Sequence, residues 1–193
     1  MDIDLIRQIR EQTGISIGEI KSALGEAGGD REKVLEILKK RGKLLAAKKS
    51  GREAKNGIIE AYVHSSKRVG AMVELRCETD FVAKNPEFKE LAHDIGMQIV
   101  AMCPLYVSPE DVPEEVVHGE RKIFEEQIAG SGKPDHIVQQ ILEGKLKKYK
   151  EEICLLPQPF IKNQDETVQN RIEGVIAKLG ENITVGKFAR FEI

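Results

Sequence analysis

The chain has 193 residues, 32% of them charged and 40% apolar, with no tryptophan. At roughly 150 residues per domain, that length points to one domain with an appendage. Apolar runs stop at four or five residues, far short of the roughly 20 that cross a bilayer, while recurring Ile, Leu and Val clusters argue against disorder. Thirty basic against 32 acidic side chains argue against a general nucleic-acid binder. The three cysteines, Cys77, Cys103 and Cys154, have unrelated spacings and form neither a disulfide framework nor a zinc knuckle. The N-terminus turns polar within four residues, unlike a secretory signal, so a soluble cytoplasmic protein is expected.

The overall balance hides an asymmetry. Residues 1–55 hold 13 basic and 9 acidic side chains, against 17 and 23 in the remainder. Between 39 and 55 eight cations face only Glu53. Such a run reads either as a solvated segment or as a basic linker touching an acidic partner surface.

Residues 1–42 read as three short helices. Leu5, Ile6 and Ile9 form one apolar stripe, and Ile20, Ala23, Leu24 and Ala27 a second. Ser16 with Glu19 is the capping-box pattern that satisfies orphan amides at a helix start. Gly28-Gly29-Asp30 stops the second helix and caps a third with the stripe Val34, Leu35, Ile37 and Leu38. So small a unit is marginal alone and is of a size that commonly binds partners through one face. Residues 43–55 are expected to be a basic linker and 56–193 an α+β core.

Near Asn56 the period becomes alternating, and 58–63 and 69–77 read as a strand hairpin. In the second strand Val69, Ala71, Val73, Leu75 and Cys77 point one way. Cys77 with His64 could be written as a nucleophile and base, but a buried structural thiol explains Cys77 better. Residues 79–84 form a short corner before a helix whose start is marked by Asn85-Pro86-Glu87. That helix carries Phe88, Leu91, Ala92, Ile95, Ile99 and Met102 on one stripe, with His93 off it. Periodicity alone would bury Phe81; were it exposed at such a corner, it would want a pocket elsewhere.

Residues 114–129 and 135–152 read as a helical hairpin. Its break, Gly130-Ser131-Gly132-Lys133, is not a phosphate loop: Gln127 stands where glycine is needed, Pro134 where Ser or Thr is needed, and a helix rather than a strand precedes it. A helix over about 166–179 ends at Gly180, and 183–193 is a last β-rich segment. A lone hairpin is marginal, so that segment is expected to complete a three-stranded antiparallel sheet. One face is covered by the 86–102 helix; the residues leave the other face open.

The run Thr79-Asp80-Phe81-Val82-Ala83-Lys84-Asn85, directly after Glu74-Leu75-Arg76-Cys77-Glu78, resembles the signature of the elongation factor Ts family. These are guanine-nucleotide exchange factors for elongation factor Tu. The resemblance spans the chain: REQTGISIGEIKSAL (10–24), AAKKSGREA (46–54), LLPQPFI (155–161), KLGENI (178–183) and the terminal RFEI recur in the family's order. It implies a ubiquitin-associated-like three-helix module on an α+β core. It also implies that Asp80 and Phe81, flanked by Thr79 and Val82, project from the corner so that the ring enters a pocket of the partner's GTPase domain and disturbs its Mg²⁺ site. Residues matching Arg10, Lys21 and Lys49 would touch the same domain. His64, with Arg68 and Gly70, matches a hairpin-loop site for another domain of the partner, and Leu179-Gly180 a contact near the phosphates.

Longer family members carry two such cores, whereas this chain has one, so the resemblance implies a homodimer pairing through the sheet. It implies no catalytic group, cofactor, bound nucleotide, membrane contact or direct nucleic-acid contact. On the residues alone, two alternatives stay open: an adaptor that only binds, and an enzyme using Cys77 or Cys103.

Overall fold

The computed structural model describes residues 3–129 and 134–193. Helices α1 (Ile3–Thr13), α2 (Ile17–Glu26) and the first half of α3 (Arg31–Lys49) enclose a small core of Ile6, Ile9, Ile20, Ala23, Leu24, Val34 and Leu38. The punctuation follows the sequence. Ser16 Oγ accepts from Glu19 N, Gly28 and Gly29 take the left-handed conformation that ends α2, and Asp30 Oδ1 accepts from Glu32 N and Lys33 N.

The expected linker is corrected in part. The third helix does not end near residue 42 but runs on to Lys49, so 43–49 are helical and only Ser50–Lys55 connect irregularly. The reason is packing. Gly42 and Ala46 are buried, and a Cβ at Gly42 would lie 3.4 Å from the Ala177 methyl. Two small residues one turn apart let a second helix approach, while the surrounding cations disguise the apolar stripe.

Strands β1 (Asn56–Val63) and β2 (Val69–Cys77) pair antiparallel with Ile58 opposite Leu75 and Tyr62 opposite Ala71. After β2 come a one-turn helix α4 (Asp80–Lys84), α5 (Pro86–Met102), α6 (Glu114–Ile128) and α7 (Asp135–Ile153). A small hairpin of β3 (Pro159–Phe160) and β4 (Asn163–Thr167) then leads into α8 (Val168–Leu179) and β5 (Ile183–Glu192). The main sheet has the order β1-β2-β5, all antiparallel, as the α+β reading requires. Ala71, Val73, Leu75 and Cys77 face Phe88, Leu91, Ala92, Ile95 and Ile99 of α5, with Val168, Ile172, Val175 and Ile176 of α8 in the same core. A side chain like Phe88, fully buried, is worth about 1.5–3 kcal/mol in removed apolar surface. The opposite sheet face leaves Ile59, Val63, Met72 and Phe191 exposed.

Helices α6 and α7 pack through Ile128, Leu142 and Leu146, with Phe124 edge-on to Tyr149. The Gly130–Lys133 break between them lies outside the described residues. Among the described residues no helix is long and apolar enough to cross a membrane.

The β3–β4 hairpin, which periodicity does not announce, is held by buried polar groups. Gln98 of α5 donates to Gln158 Oε1 (3.2 Å) and to the Pro159 carbonyl (3.1 Å), and accepts from Ile161 N (2.9 Å). Asp94, 1% exposed, receives Lys162 Nζ at 2.6 Å and Arg171 Nη2 at 3.6 Å. Gln98→Leu strands these hairpin groups without a partner. Three groups lose their partner at about 1–3 kcal/mol each, so a loss of at least about 3 kcal/mol is expected as a lower urea midpoint at unchanged m-value.

Candidate functional site

The corner begins where β2 ends. Thr79 is extended and caps α4, its hydroxyl accepting from Val82 N, and Asn85 closes the turn by donating its backbone N–H to the Val82 carbonyl. Ala83 is buried and Val82 half-buried, which anchors one side of the turn and turns the other outward. Phe81 is 80% exposed. Periodicity alone would have buried it; the one-turn helix overrides the strand's alternation and points the ring into solvent. Asp80 is exposed beside it and pairs with Lys84 Nζ at 2.7 Å, a hydrogen bond that holds its carboxyl below the usual carboxylate range.

Two further segments close in behind the corner. Gly180, in the left-handed conformation, caps α8, and Lys49 at the end of α3 donates its ammonium to the Gly180 carbonyl. A cation at a helix C-terminus complements the dipole there. Glu181 accepts from Thr79 N (3.0 Å) and Thr79 Oγ1 (2.6 Å). Asn182, 3% exposed, donates its N–H to Glu78 Oε1 (2.7 Å) and its amide to the Arg52 carbonyl (2.7 Å). The bond from Asn182 holds the Glu78 carboxyl below its usual range, with Arg52 at 3.5 Å adding to it. Lys49, Thr79, Asp80, Phe81, Val82, Leu179 and Gly180 therefore lie around one corner, joined by a polar seam.

The other candidates lie elsewhere. His64 is at the far end of the β1–β2 hairpin, about 30 Å from the corner at ~3.4 Å per strand residue. Its Nδ1 is engaged by Ser66 within its own turn, and Arg68 Nη2 reaches the Ile193 carbonyl. Arg10 is exposed in the last turn of α1, one turn before Gly14, where a Cβ would lie 2.8 Å from Lys178 Cε. Lys21 is exposed on α2.

The same geometry separates Cys77 from His64. Cys77 is fully buried at the corner end of the sheet, its Sγ donating to the Thr79 carbonyl, and His64 is at the opposite end. Burial, assisted by the Glu181 charge, pushes the Cys77 thiol up to about 11. Among the described residues no group of three His, Cys, Asp or Glu side chains is placed to hold a metal.

The family model described as Elongation factor TS matches residues 30–193. Elongation factor Ts of Carboxydothermus hydrogenoformans is 51% identical over 98% of this chain and 87% of its own length. That of Thermotoga petrophila is 51% identical over 100% of this chain and 96% of its own, and that of Rubrobacter xylanophilus 50% identical over 99% and 98%. The chain belongs to the elongation factor Ts family.

The match covers Lys49, His64, Thr79–Val82 and Leu179–Gly180, whereas Arg10 and Lys21 precede residue 30. The residues alone give no role to Glu78, Glu181 or Asn182, although Gly180-Glu181-Asn182 directly after a helix end is a visible signal of a polar junction. Native protein exposed to a small thiol reagent should label Cys103, which is exposed, whereas Cys77 and Cys154 are buried. Their labelling should be at least about 100-fold slower, because each needs an opening of the core; mass spectrometry of the labelled chain checks this.

Proposed function

We propose that this chain is a guanine-nucleotide exchange factor for elongation factor Tu, working in the cytoplasm during translation elongation, and that Phe81 is its working tip. The observation that carries the reading is the exposure of Phe81 on a turn anchored from both sides. A large apolar ring held rigidly in water is worth holding only if it fills a pocket on something else. Membership of the family supplies the partner. The ring enters the GTPase domain of elongation factor Tu, Asp80 accompanies it, and Leu179-Gly180 with Lys49 press on the same domain. The resulting strain falls on the partner's own Mg²⁺ and phosphate contacts.

No bond needs to be made by this chain, so it acts as a binding factor and not as an enzyme. A factor that binds the nucleotide-free partner more tightly than the loaded one weakens nucleotide by the same factor, since the two bindings are linked. Each ~1.4 kcal/mol of that coupling is tenfold in affinity. Helices α1, α2 and the first half of α3 form a ubiquitin-associated-like recognition module whose Arg10 and Lys21 meet the GTPase domain, and the His64 hairpin meets a second domain. Phe81→Ala should cut the stimulated release of labelled GDP from elongation factor Tu by at least about tenfold, the range of a buried aromatic anchor. Because the ring is exposed, stability should change by no more than about 0.5 kcal/mol. Full stimulation by this variant would overturn the insertion mechanism, and a factor that binds elongation factor Tu without changing the GDP off-rate would be an adaptor instead.

The open sheet face completes the reading. Ala61, Met72 and Ala189 lie side by side across the three strands, and Val63, Gly70 and Phe191 form the next row. Such an apolar surface fits a second copy, giving a homodimer through the sheet whose two cores stand in for the paired cores of longer relatives. Sedimentation equilibrium at micromolar concentration should give twice the 21.6 kDa chain mass, and Phe191→Glu should return it to the single value. A wild-type chain of single mass would exclude the dimer.

A further inference from the structure

We infer that Glu181 is the positioning residue of the Phe81 corner, acting through Thr79 and not through any contact of its own with a partner. The inference rests on the exchange-factor reading for its consequence, but its physical basis is independent of it. Helix α4 has five residues, too few to hold itself together, since forming a first turn fixes several dihedrals for one hydrogen bond. The direction of Phe81 is therefore imposed by whatever grips the ends of the turn. At the C-terminal end the grip is local: Asn85 N bonds the Val82 carbonyl, and Asn85 Oδ1 caps α5 by accepting from Glu87 N. At the N-terminal end it comes from 102 residues away. One Glu181 oxygen takes the Thr79 N–H and the other takes the Thr79 hydroxyl. That hydroxyl is also the cap of α4, accepting from Val82 N at 3.4 Å. The carboxylate thus fixes both the backbone and the χ1 of the residue that starts the turn.

Glu181 has little freedom to do otherwise. Before it, Gly180 is capped in the left-handed conformation and its carbonyl receives Lys49. After it, Asn182 is locked by Glu78 and the Arg52 carbonyl. The segment 180–182 is a strap between the end of α8 and the start of β5, and it couples two of the proposed contact points, Leu179-Gly180 and Asp80-Phe81, into one rigid presentation. With the strap released, the ring would sample other directions and would have to be ordered again on binding, at a cost to the complex.

The test separates positioning from mere support of the fold. Glu181→Ala should lower stimulated GDP release about tenfold, the scale of one or two lost charge-assisted hydrogen bonds. Glu181→Gln should restore most of it, since its oxygen can accept the Thr79 N–H while its NH₂ donates to Thr79 Oγ1. In a Phe81→Ala background Glu181→Ala should change the rate by less than about twofold, because residues acting as one unit are not additive. Equal losses in both backgrounds, or a wild-type rate for Glu181→Ala, would overturn the inference. A second measurement does not depend on exchange: with 4-fluorophenylalanine at position 81, the ¹⁹F line of the free chain should shift and broaden in Glu181→Ala and recover in Glu181→Gln. An unchanged line would overturn the positioning role even where exchange falls, whereas a changed line with full activity of Phe81→Ala would retain the clamp and refute only the exchange mechanism.

Discussion

The arrangement depends on how closely α3 can approach α8. Gly42 opposite Ala177, with Ala46 buried one turn on, removes the side-chain bulk that would otherwise separate the helices. Helix α8 belongs to the main core through Val168, Ile172, Val175 and Ile176, so this contact docks the N-terminal helices onto the core along a helix instead of leaving them on a tether. It also delivers Lys49 to the C-terminus of α8. A larger residue at position 42 would push α3 outward and part Lys49 from Gly180. A packing constraint at one site therefore sets an electrostatic contact two turns away.

That contact begins a seam in which many of the polar groups have a distant partner. Lys49 meets Gly180, Arg52 meets Glu78, Asn182 meets Glu78 and Arg52, and Glu181 meets Thr79. The basic run of the sequence is thereby explained in part without an acidic partner: several of its cations are used within the chain, including Arg41 on Glu26 and Lys40 on Glu36. Glu78 and Asp80 are held below their usual carboxylate range. A carboxyl whose folded value is depressed stabilises the fold above its unfolded value and loses that contribution as pH falls through the folded one. The corner accordingly loses these contributions on acidification.

Much of this was legible in the residues. The alternation of Ala71, Val73, Leu75 and Cys77, the Ser16, Asp30 and Asn85 caps, and the α8 stripe each rest on a local rule, and each appears where the rule puts it. What could not be read depends on pairs distant in sequence. The extension of α3 is decided by Ala177, the β3–β4 hairpin by Gln98 and Asp94, and the polar seam by residues 26 to 131 positions apart. Phe81 shows the boundary most clearly. Its own neighbourhood called for burial, and only the resemblance to a family exposed it.

The exposed ring also makes the rigidity of its support intelligible. An aromatic side chain left in water gains nothing for the free chain, so on the proposed reading its value lies in the complex. There, the gain is reduced by whatever ordering the ring and its loop require on docking. A flexible loop would lose that order in the free state and have to regain it on binding. On the proposed reading the seam lowers that cost beforehand, using hydrogen bonds that already exist in the folded chain. On the proposed exchange reading the tip must hold its direction against the site it enters, and a five-residue helix gripped from behind by the Glu181 carboxylate is built for that.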